Sequence, residues 1–377
     1  MAYLSRYLET HIKEDLAKKM VFMSGPRQSG KTTLAKKLLQ DENLDFSRYL
    51  NWDASTDREN IIREQFPAGP GLLILDEIHK YSRWRQVVKG LYDKRKEEIQ
   101  ILVSGSGRLD YYRHGGDSLQ GRYHFYRLHP LSFREINAGG QYRLMDLFNY
   151  GGFPEPFLLA SERESRRWSK EYRTRVIQED LNSLENVKDL ALLENLVIRL
   201  PDLVGSPLSV NAISKDLQVA HQTLSRWLII LENLFMIFRI FPFGAPKIRA
   251  VKKEAKHYHF DWTVIEDESF RFENMVACHL LKWCHLRQDY EGLNTELRYF
   301  RDIDKREVDF VLIENNKPRQ FVECKLQQRD TNPALRYLKQ RFPEVYTVQI
   351  ALRGEEDYIN KDGIHICPAE KYLLSLI

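Results

Sequence analysis

Apolar residues along this chain fall into short unbroken runs separated by amphipathic and turn-rich stretches. Met20-Val21-Phe22-Met23-Ser24, Leu72-Leu73-Ile74-Leu75 and Ile99-Gln100-Ile101-Leu102-Val103 each read as buried strands of a parallel sheet. Thr33-Leu34-Ala35-Lys36-Lys37-Leu38-Leu39 reads as the opening turns of a helix, and Arg48-Tyr49-Leu50-Asn51-Trp52-Asp53 as a second strand ending in polar groups. Pro67-Ala68-Gly69-Pro70-Gly71 is a turn cluster leading into the Leu72 run. Further on, residues 161–200 are charged and helical in pattern. Residues 208–217 and 221–232 form a helix–turn–helix pattern around a break near Val219-Ala220, and Phe235-Met236-Ile237-Phe238-Arg239-Ile240 reads as a wing strand. Glu307-Val308-Asp309-Phe310-Val311-Leu312 and Gln320-Phe321-Val322-Glu323-Cys324-Lys325 predict a strand hairpin, preceded by a helix that carries Phe272-Glu273-Asn274-Met275-Val276.

The loop between the first strand and the first helix is chemically specific. Gly25-Pro26-Arg27-Gln28-Ser29-Gly30-Lys31-Thr32 fits the phosphate-binding pattern G-x-x-x-x-G-K-[ST], with Thr33 continuing into the helix. A strand before and a helix after deliver the loop to a helix N-terminus, where unpaired amides and the positive end of the dipole face an anion. Gly25 and Gly30 permit a close curl, Lys31 reaches β- and γ-phosphates, and the Thr32 hydroxyl is a Mg²⁺ ligand. These features predict ATP and Mg²⁺ as cofactors.

The Leu72 run ends at Asp76-Glu77, the pattern of a Walker B strand in which Asp76 holds the Mg²⁺ shell and Glu77 polarises the attacking water. The Ile99 run ends at Ser104-Gly105-Ser106-Gly107. Either Ser104 or Ser106 can place a hydroxyl near the γ-phosphate, and the sequence does not choose between them. Arg122 has two readings, a finger for transition-state charge in its own or a neighbouring subunit, and an ordinary surface arginine. Only a finger acting between subunits would require a homo-oligomer.

Composition narrows the class without naming a partner. At 377 residues the chain is long enough for two or three domains. Its 43% hydrophobic and 29% charged residues are those of an ordinary globular protein. No apolar run approaches the roughly 20 residues needed to span a membrane, and the first residues lack a signal-peptide core, so the expected compartment is the cytoplasm. A formal charge of +4, from 57 basic and 53 acidic residues, gives no global argument for nucleic acid. Cys278, Cys284, Cys324 and Cys367 lack CxxC spacing and read as buried or incidental thiols.

Taken in order, Gly25 to Thr33, Leu75-Asp76-Glu77-Ile78-His79, Gly121-Arg122, Pro130-Leu131-Ser132-Phe133-Arg134-Glu135 and Tyr150-Gly151-Gly152-Phe153-Pro154-Glu155 resemble one group. It is the bacterial and archaeal family of predicted AAA+ class ATPases that carry a C-terminal domain of unassigned function. The resemblance implies an ASCE-type P-loop core with the catalytic acid beside the Walker B aspartate, here Glu77. The C-terminal landmarks Glu273-Asn274, Glu307-Val308-Asp309-Phe310 and Glu323-x-Lys325 are similar to that family's. One departure is Asp261-Trp262-Thr263-Val264, where relatives show Asp-x-Gly-Leu.

Period-two alternation puts Glu323 and Lys325 on one strand face. With Asp309, and with Glu273 from the preceding helix, they resemble the PD-(D/E)xK nuclease core, a second metal site in which two acids ligate Mg²⁺ and the lysine assists. The other reading is a satisfied polar cluster in a nuclease-like scaffold that only binds DNA or protein. The exposed start of the second helix (His221, Gln222, Thr223, Ser225, Arg226) would face a DNA groove in a winged helix. Lys247, Arg249, Lys252, Lys253, Lys256 and His257 would supply backbone contacts. Winged helices also dock proteins, and both partners stay open.

The expected architecture is α/β throughout: a P-loop ATPase domain over 1–135, a helical lid or linker over 136–205, a winged-helix segment over 206–250 and a restriction-endonuclease-like α/β domain over 251–377. The expected function is ATP binding and hydrolysis coupled to a C-terminal DNA- or protein-binding domain. An ATP-regulated nuclease and a regulatory switch with little turnover are the alternatives.

Overall fold

A computed structural model describes residues 3–107, 119–180, 189–244 and 254–377. It divides into two compact units, one of the residues up to Leu131 with Asn233–Phe235, the other of Ser132–Glu232 with Met236–Ile377.

The first unit is a five-stranded parallel sheet with helices α1 (Glu9–Leu16), α2 (Lys31–Asp41), α3 (Ser55–Ile62) and α4 (Trp84–Arg95). Its strands are β1 (Met20–Ser24), β2 (Tyr49–Asn51), β3 (Gly71–Asp76), β4 (Ile99–Gly105) and β5 (Tyr123–Arg127), in the order β2-β3-β4-β1-β5. Every residue of β1 is buried, as are all of β3 after Gly71. Such strands need apolar side chains on both faces, and the sequence supplies them. Leu73, Leu75, Ile101 and Val103 pack with Trp84, Val88 and Leu91 of α4 into one core, each full burial worth roughly 1.5–3 kcal/mol. The order places β4 between the strand before the phosphate loop and the strand that ends in Asp76. Register then aligns Asn51 with Asp76, Asp76 with Ser104, and Gly105 with Ser24. Four polar strand ends thus share the C-terminal edge of the sheet, where α/β folds hold ligands.

The second unit begins with α5 (Phe133–Asn137), α6 (Leu144–Tyr150), α7 (Pro154–Leu159) and α8 (Glu162–Arg175). The Pro130-to-Glu135 motif is a helix start locked to a distant helix. Glu135 accepts from the Ser132 amide and hydroxyl at 2.8 and 2.9 Å and is ion-paired to buried Lys282. The Phe133 amide donates to His279 Nε2 at 3.0 Å. Gly151 of the second motif, at φ +82°, would place a Cβ 2.9 Å from Thr263 Cγ2. The departure at 261–264 is a short helical turn, Trp262–Val264, capped by Asp261. The arginines of α8 at 163, 166 and 167 are exposed and pair with Glu162 and the half-buried Glu164, a solvated helix face.

Helices α9 (Leu190–Arg199), α10 (Val210–Asp216) and α11 (His221–Asn233) follow. The strand after them is β6 (Ile237–Pro242), starting two residues later than the sequence pattern indicates. It pairs antiparallel with β7 (Lys256–His259) and parallel with β8 (Thr295–Arg301). The presumed wing therefore belongs to a larger sheet, completed by β9 (Glu307–Glu314), β10 (Lys317–Gln327), β11 (Tyr346–Arg353), β12 (Tyr358–Ile359) and β13 (His365–Pro368). The 22-residue α12 (Glu268–Asp289), α13 (Pro333–Arg341) and α14 (Ala369–Leu374) complete the unit. Val308, Val311 and Phe321 of the sheet and Leu335 and Leu338 of α13 pack into one core of this unit. All four cysteines are buried free thiols. Among the described residues no helix is long and apolar enough to cross a membrane.

Burial pushes both His257 and His279 down to about 4. The geometry at His279 agrees, since Nε2 accepts from Phe133 and Nδ1 lies 2.7 Å from the Met275 carbonyl, a neutral tautomer with both nitrogens used. Unfolded histidine titrates near 6.5. Between that value and about 4 the unfolded chain binds protons the folded one refuses, so stability falls as pH drops through this window, by roughly 2 kcal/mol per histidine at pH 5 relative to neutrality. Urea unfolding of the second unit should show this loss, and His279→Gln should reduce it by about that amount. An unchanged pH slope in the variant contradicts the assignment.

Candidate functional site

The phosphate loop is shaped by contacts that glycine alone permits. Gly25 lies at φ +156°, and a Cβ there would sit 2.2 Å from the Leu128 carbonyl oxygen, a hard backbone clash. Pro26, Arg27, Gln28 and Ser29 form the turn, with the Ser29 amide donating to Pro26 O at 3.2 Å and Gln28 at φ 60°. Gly30, left-handed at φ 96°, is the N-cap of α2, so the first turn, with Lys31, Thr32 and Thr33, directs its amides into the loop. Lys31 is buried and folded across the loop, donating to Gly25 O at 3.0 Å and Pro26 O at 2.7 Å.

Opposite the loop, Asp76 ends β3, 3% exposed. Its Oδ2 accepts from Thr32 Oγ1 at 2.9 Å and from the Tyr49 hydroxyl at 2.6 Å, and its Oδ1 from Ser104 Oγ at 2.6 Å. Burial first, then the Asp76 charge, holds the Tyr49 phenol well above its ordinary pKa, so it stays a donor. Glu77 adopts a left-handed conformation at φ 55°, and its carboxylate accepts from Ser106 Oγ at 3.1 Å. Lys80 Nζ lies 3.6 Å from Glu77 and 2.7 Å from Asp53, while the buried His79, pushed below its ordinary pKa by desolvation, has Nε2 3.7 Å from Glu77. The two serines thus divide between the two acids. The oxygen set of Thr32 and Asp76 suits a hard divalent cation such as Mg²⁺.

Three contributors escaped the sequence. Buried Arg6 donates to Ser29 O at 2.6 Å and His129 O at 2.5 Å, bracing the loop from behind. Tyr49 and the Asp53–Lys80 pair are the others. The polar end of the second strand was the available signal for Tyr49 and Asp53. Arg6, a single arginine in an N-terminal stretch with no motif, offered none.

Arg122 is placed elsewhere. It immediately precedes β5, its carbonyl accepts from Met20 N at the start of β1, and its guanidinium pairs with Asp93 at 2.9 Å. The phosphate loop leaves the other end of β1, so the structure does not bring Arg122 to the phosphate site of its own chain. The parallel register of β1 and β5 sets it at the opposite end of the sheet from the loop.

The residues of the second predicted metal site are bonded to protein partners. Glu273 Oε1 is taken by Tyr258 OH at 2.7 Å and by Lys256 Nζ at 3.2 Å. Glu323 Oε1 receives both Lys325 Nζ and Asn332 Nδ2 at 2.6 Å, and Asp309 Oδ2 accepts from the Cys324 amide at 2.8 Å. Asp309 and Glu323 are neighbours. Burial, followed by the Glu323 and Glu273 charges, pushes the Asp309 carboxyl well above the ordinary range. Among the described residues no three acids, histidines or cysteines group to hold a metal, and the acids of this cluster are engaged by protein donors.

The basic stretch is described only at its end. Lys247, Arg249, Lys252 and Lys253 lie outside the described residues. Lys256 and His257 are fully buried, the lysine between acids and the imidazole on Leu200 O at 2.8 Å. On α11, His221, Gln222 and Arg226 are exposed and Thr223 and Ser225 half-buried.

Residues 17–137 match the model of an AAA domain, and residues 141–265 and 269–372 match two domains of unknown function. An uncharacterized protein of Haemophilus influenzae is 25% identical over 326 residues, covering 77% of this chain and 78% of its own. One of Mycobacterium tuberculosis is 23% identical over 374 residues, covering 94% and 81%. Among solved structures, the Aeropyrum pernix ORC1 protein in complex with DNA aligns at TM-score 0.35 and 13% identity, over 72% of this chain and 93% of that one. The Thermotoga maritima RuvB Holliday junction branch migration motor aligns at 0.31 and 16%, over 62% and 88%. The domain match and the strand order, rather than these alignments, identify an AAA-type P-loop ATPase domain in the first unit.

Gly25→Ala must push against the Leu128 carbonyl and should cost about 1–3 kcal/mol, read as a lowered melting temperature together with weakened nucleotide binding. Arg122→Ala, by contrast, should leave affinity for ATP within about twofold, as for a surface change of no more than about 0.5 kcal/mol. Calorimetric titration of both variants checks the pair, and a large loss in Arg122→Ala would contradict its placement.

Proposed function

We propose that this chain binds ATP with Mg²⁺ and hydrolyses it at the C-terminal edge of the first sheet, using the nucleotide cycle to control a second unit that binds a macromolecule. The observation that carries the reading is the convergence on Asp76 of Thr32, Tyr49 and Ser104 from three different elements, beside the loop that holds Lys31. In this reading the amides at the start of α2 and the Lys31 ammonium bind the phosphates, Lys31 exchanging its two carbonyl acceptors for phosphate oxygens. Thr32 and Asp76 would hold Mg²⁺, which neutralises charge on the β- and γ-phosphates when bound. Glu77 accepts a hydrogen bond from the attacking water and takes its proton as oxygen bonds to the γ-phosphorus and ADP leaves. Ser106, on Glu77, is the better candidate for a sensor, and Ser104, bound to Asp76, for a structural partner. Any finger role for Arg122 requires a neighbouring copy, hence a homo-oligomer.

The second unit is read as a winged-helix element joined to a nuclease-like sheet that binds without cutting. The helix order α9, α10, α11, the bridge of Pro207 to Lys256 and the antiparallel β6–β7 pair support the winged helix. The exposed start of α11 supplies hydrogen-bonding groups suited to a nucleic acid or a protein.

Lys31→Ala removes a charge-assisted contact worth about 1.5–3 kcal/mol, so ATP affinity should fall by one to two orders of magnitude in a folded protein. Unchanged affinity by calorimetry would sink the phosphate-loop assignment. Glu77→Gln should keep ATP bound while single-turnover hydrolysis drops roughly 10²–10⁴-fold. Slow, equal turnover in both proteins would point instead to a switch.

A further inference from the structure

The acid centre of the second unit holds a cation of its own. Lys256 opens β7 and is completely buried. Its Nζ lies 2.6 Å from Glu307 Oε1 and 3.2 Å from Glu273 Oε1, and 5.5 Å from the ring centre of Tyr299. Burial by itself would strip the ammonium of its proton, yet Glu273, Asp309 and Glu307 outweigh burial and hold its pKa above the ordinary value. Its main chain is fixed as well, paired with Ile240 in β6 and bridged to Pro207. This lysine cannot swing aside as an exposed one can.

Metal-dependent hydrolases built on acids and a lysine turn several carboxylate oxygens towards one divalent ion. Here the acids are engaged by protein donors, Asp309 by the Cys324 amide. Glu273 serves Lys256 and Tyr258, Glu323 serves Lys325 and Asn332, and Glu307 serves Lys256, with Arg301 at 3.6 Å. A divalent ion entering among them would meet a buried, immovable positive charge in a setting of weak screening.

We infer that the Lys256 ammonium takes the cation position of this centre, making it a closed internal ion cluster that admits no divalent metal and so cleaves no phosphodiester. The cluster instead ties β7, α12 and β9 together. Its status is independent of ATP binding by the first unit, and the two readings fail separately.

The test uses the full chain carrying Asp76→Asn, which removes the buried acid opposite the phosphate loop, without nucleotide. Mn²⁺ binding is followed by the loss of the free-ion electron paramagnetic resonance signal. At millimolar Mn²⁺ this background should bind none, and adding Asp309→Asn should change nothing. Adding Lys256→Met should create one Mn²⁺ site per chain, lost again with Asp309→Asn. A background that binds Mn²⁺ in an Asp309-dependent way overturns the inference, as does a folded Lys256→Met chain that binds none. If circular dichroism shows Lys256→Met unfolded, the comparison of the background with Asp309→Asn decides by itself.

Discussion

The first unit depends on the burial of one carboxylate. Asp76 sits at the end of a strand whose other residues are apolar, where an unpartnered acid would be severely destabilising. Three hydroxyls, from α2, β2 and β4, meet its two oxygens. Each bond fixes the relative position of an element that also contributes to the phosphate site, so the desolvation of Asp76 is offset by the bonds that pre-organise that site. The strand order makes this possible, because β4 beside β3 brings Ser104 level with Asp76. Thr32 answers both to the loop and to the acid.

The second unit meets several of its acids by different means. Four of them face ammonium groups: Glu135 that of Lys282, Glu273 and Glu307 that of Lys256, and Glu323 that of Lys325. Breaking such a pair by removing one partner leaves an uncompensated charge and is strongly destabilising, even where the intact pair adds little net stability. Hydroxyl partners leave a carboxylate its charge and the ability to exchange a donor for a cation. Fixed ammonium partners neutralise it in place. That chemical difference separates a nucleotide site from a structural cluster, although both units present acids on strands.

What was legible in the sequence follows the range of the interaction. The loop from Gly25 to Thr33 and the Asp76-Glu77 pair were readable because strand, turn and helix N-terminus are local, and the apolar runs around them are unambiguous. The same-strand pair of Glu323 and Lys325 followed from period-two geometry. The place of Arg122 was not legible because a local string says nothing of which end of the sheet it occupies; that is fixed by pairing with β1, about a hundred residues earlier in the chain. Lys256 misled for a related reason. In sequence it ends a basic stretch, whereas in the fold it is enclosed by Glu273, Glu307 and Tyr299 from other elements.

The conformation of Glu77 shows what it takes for two consecutive acids to serve one site. Neighbouring residues in a strand point to opposite faces, so a straight continuation of β3 would carry Glu77 away from the side on which Asp76 meets Thr32. The chain instead enters the left-handed region at Glu77, at φ 55°, a conformation that costs an ordinary residue about 1–2 kcal/mol. The Glu77 amide donates to Ser104 O at 2.8 Å and its carboxylate accepts from Ser106, so both of its polar ends are held by the end of β4. Glycine would make the same turn without strain and bring no carboxylate. Strain retained beside a phosphate loop, at a residue whose only distinctive asset is its acid, is consistent with the water-orienting role proposed for Glu77.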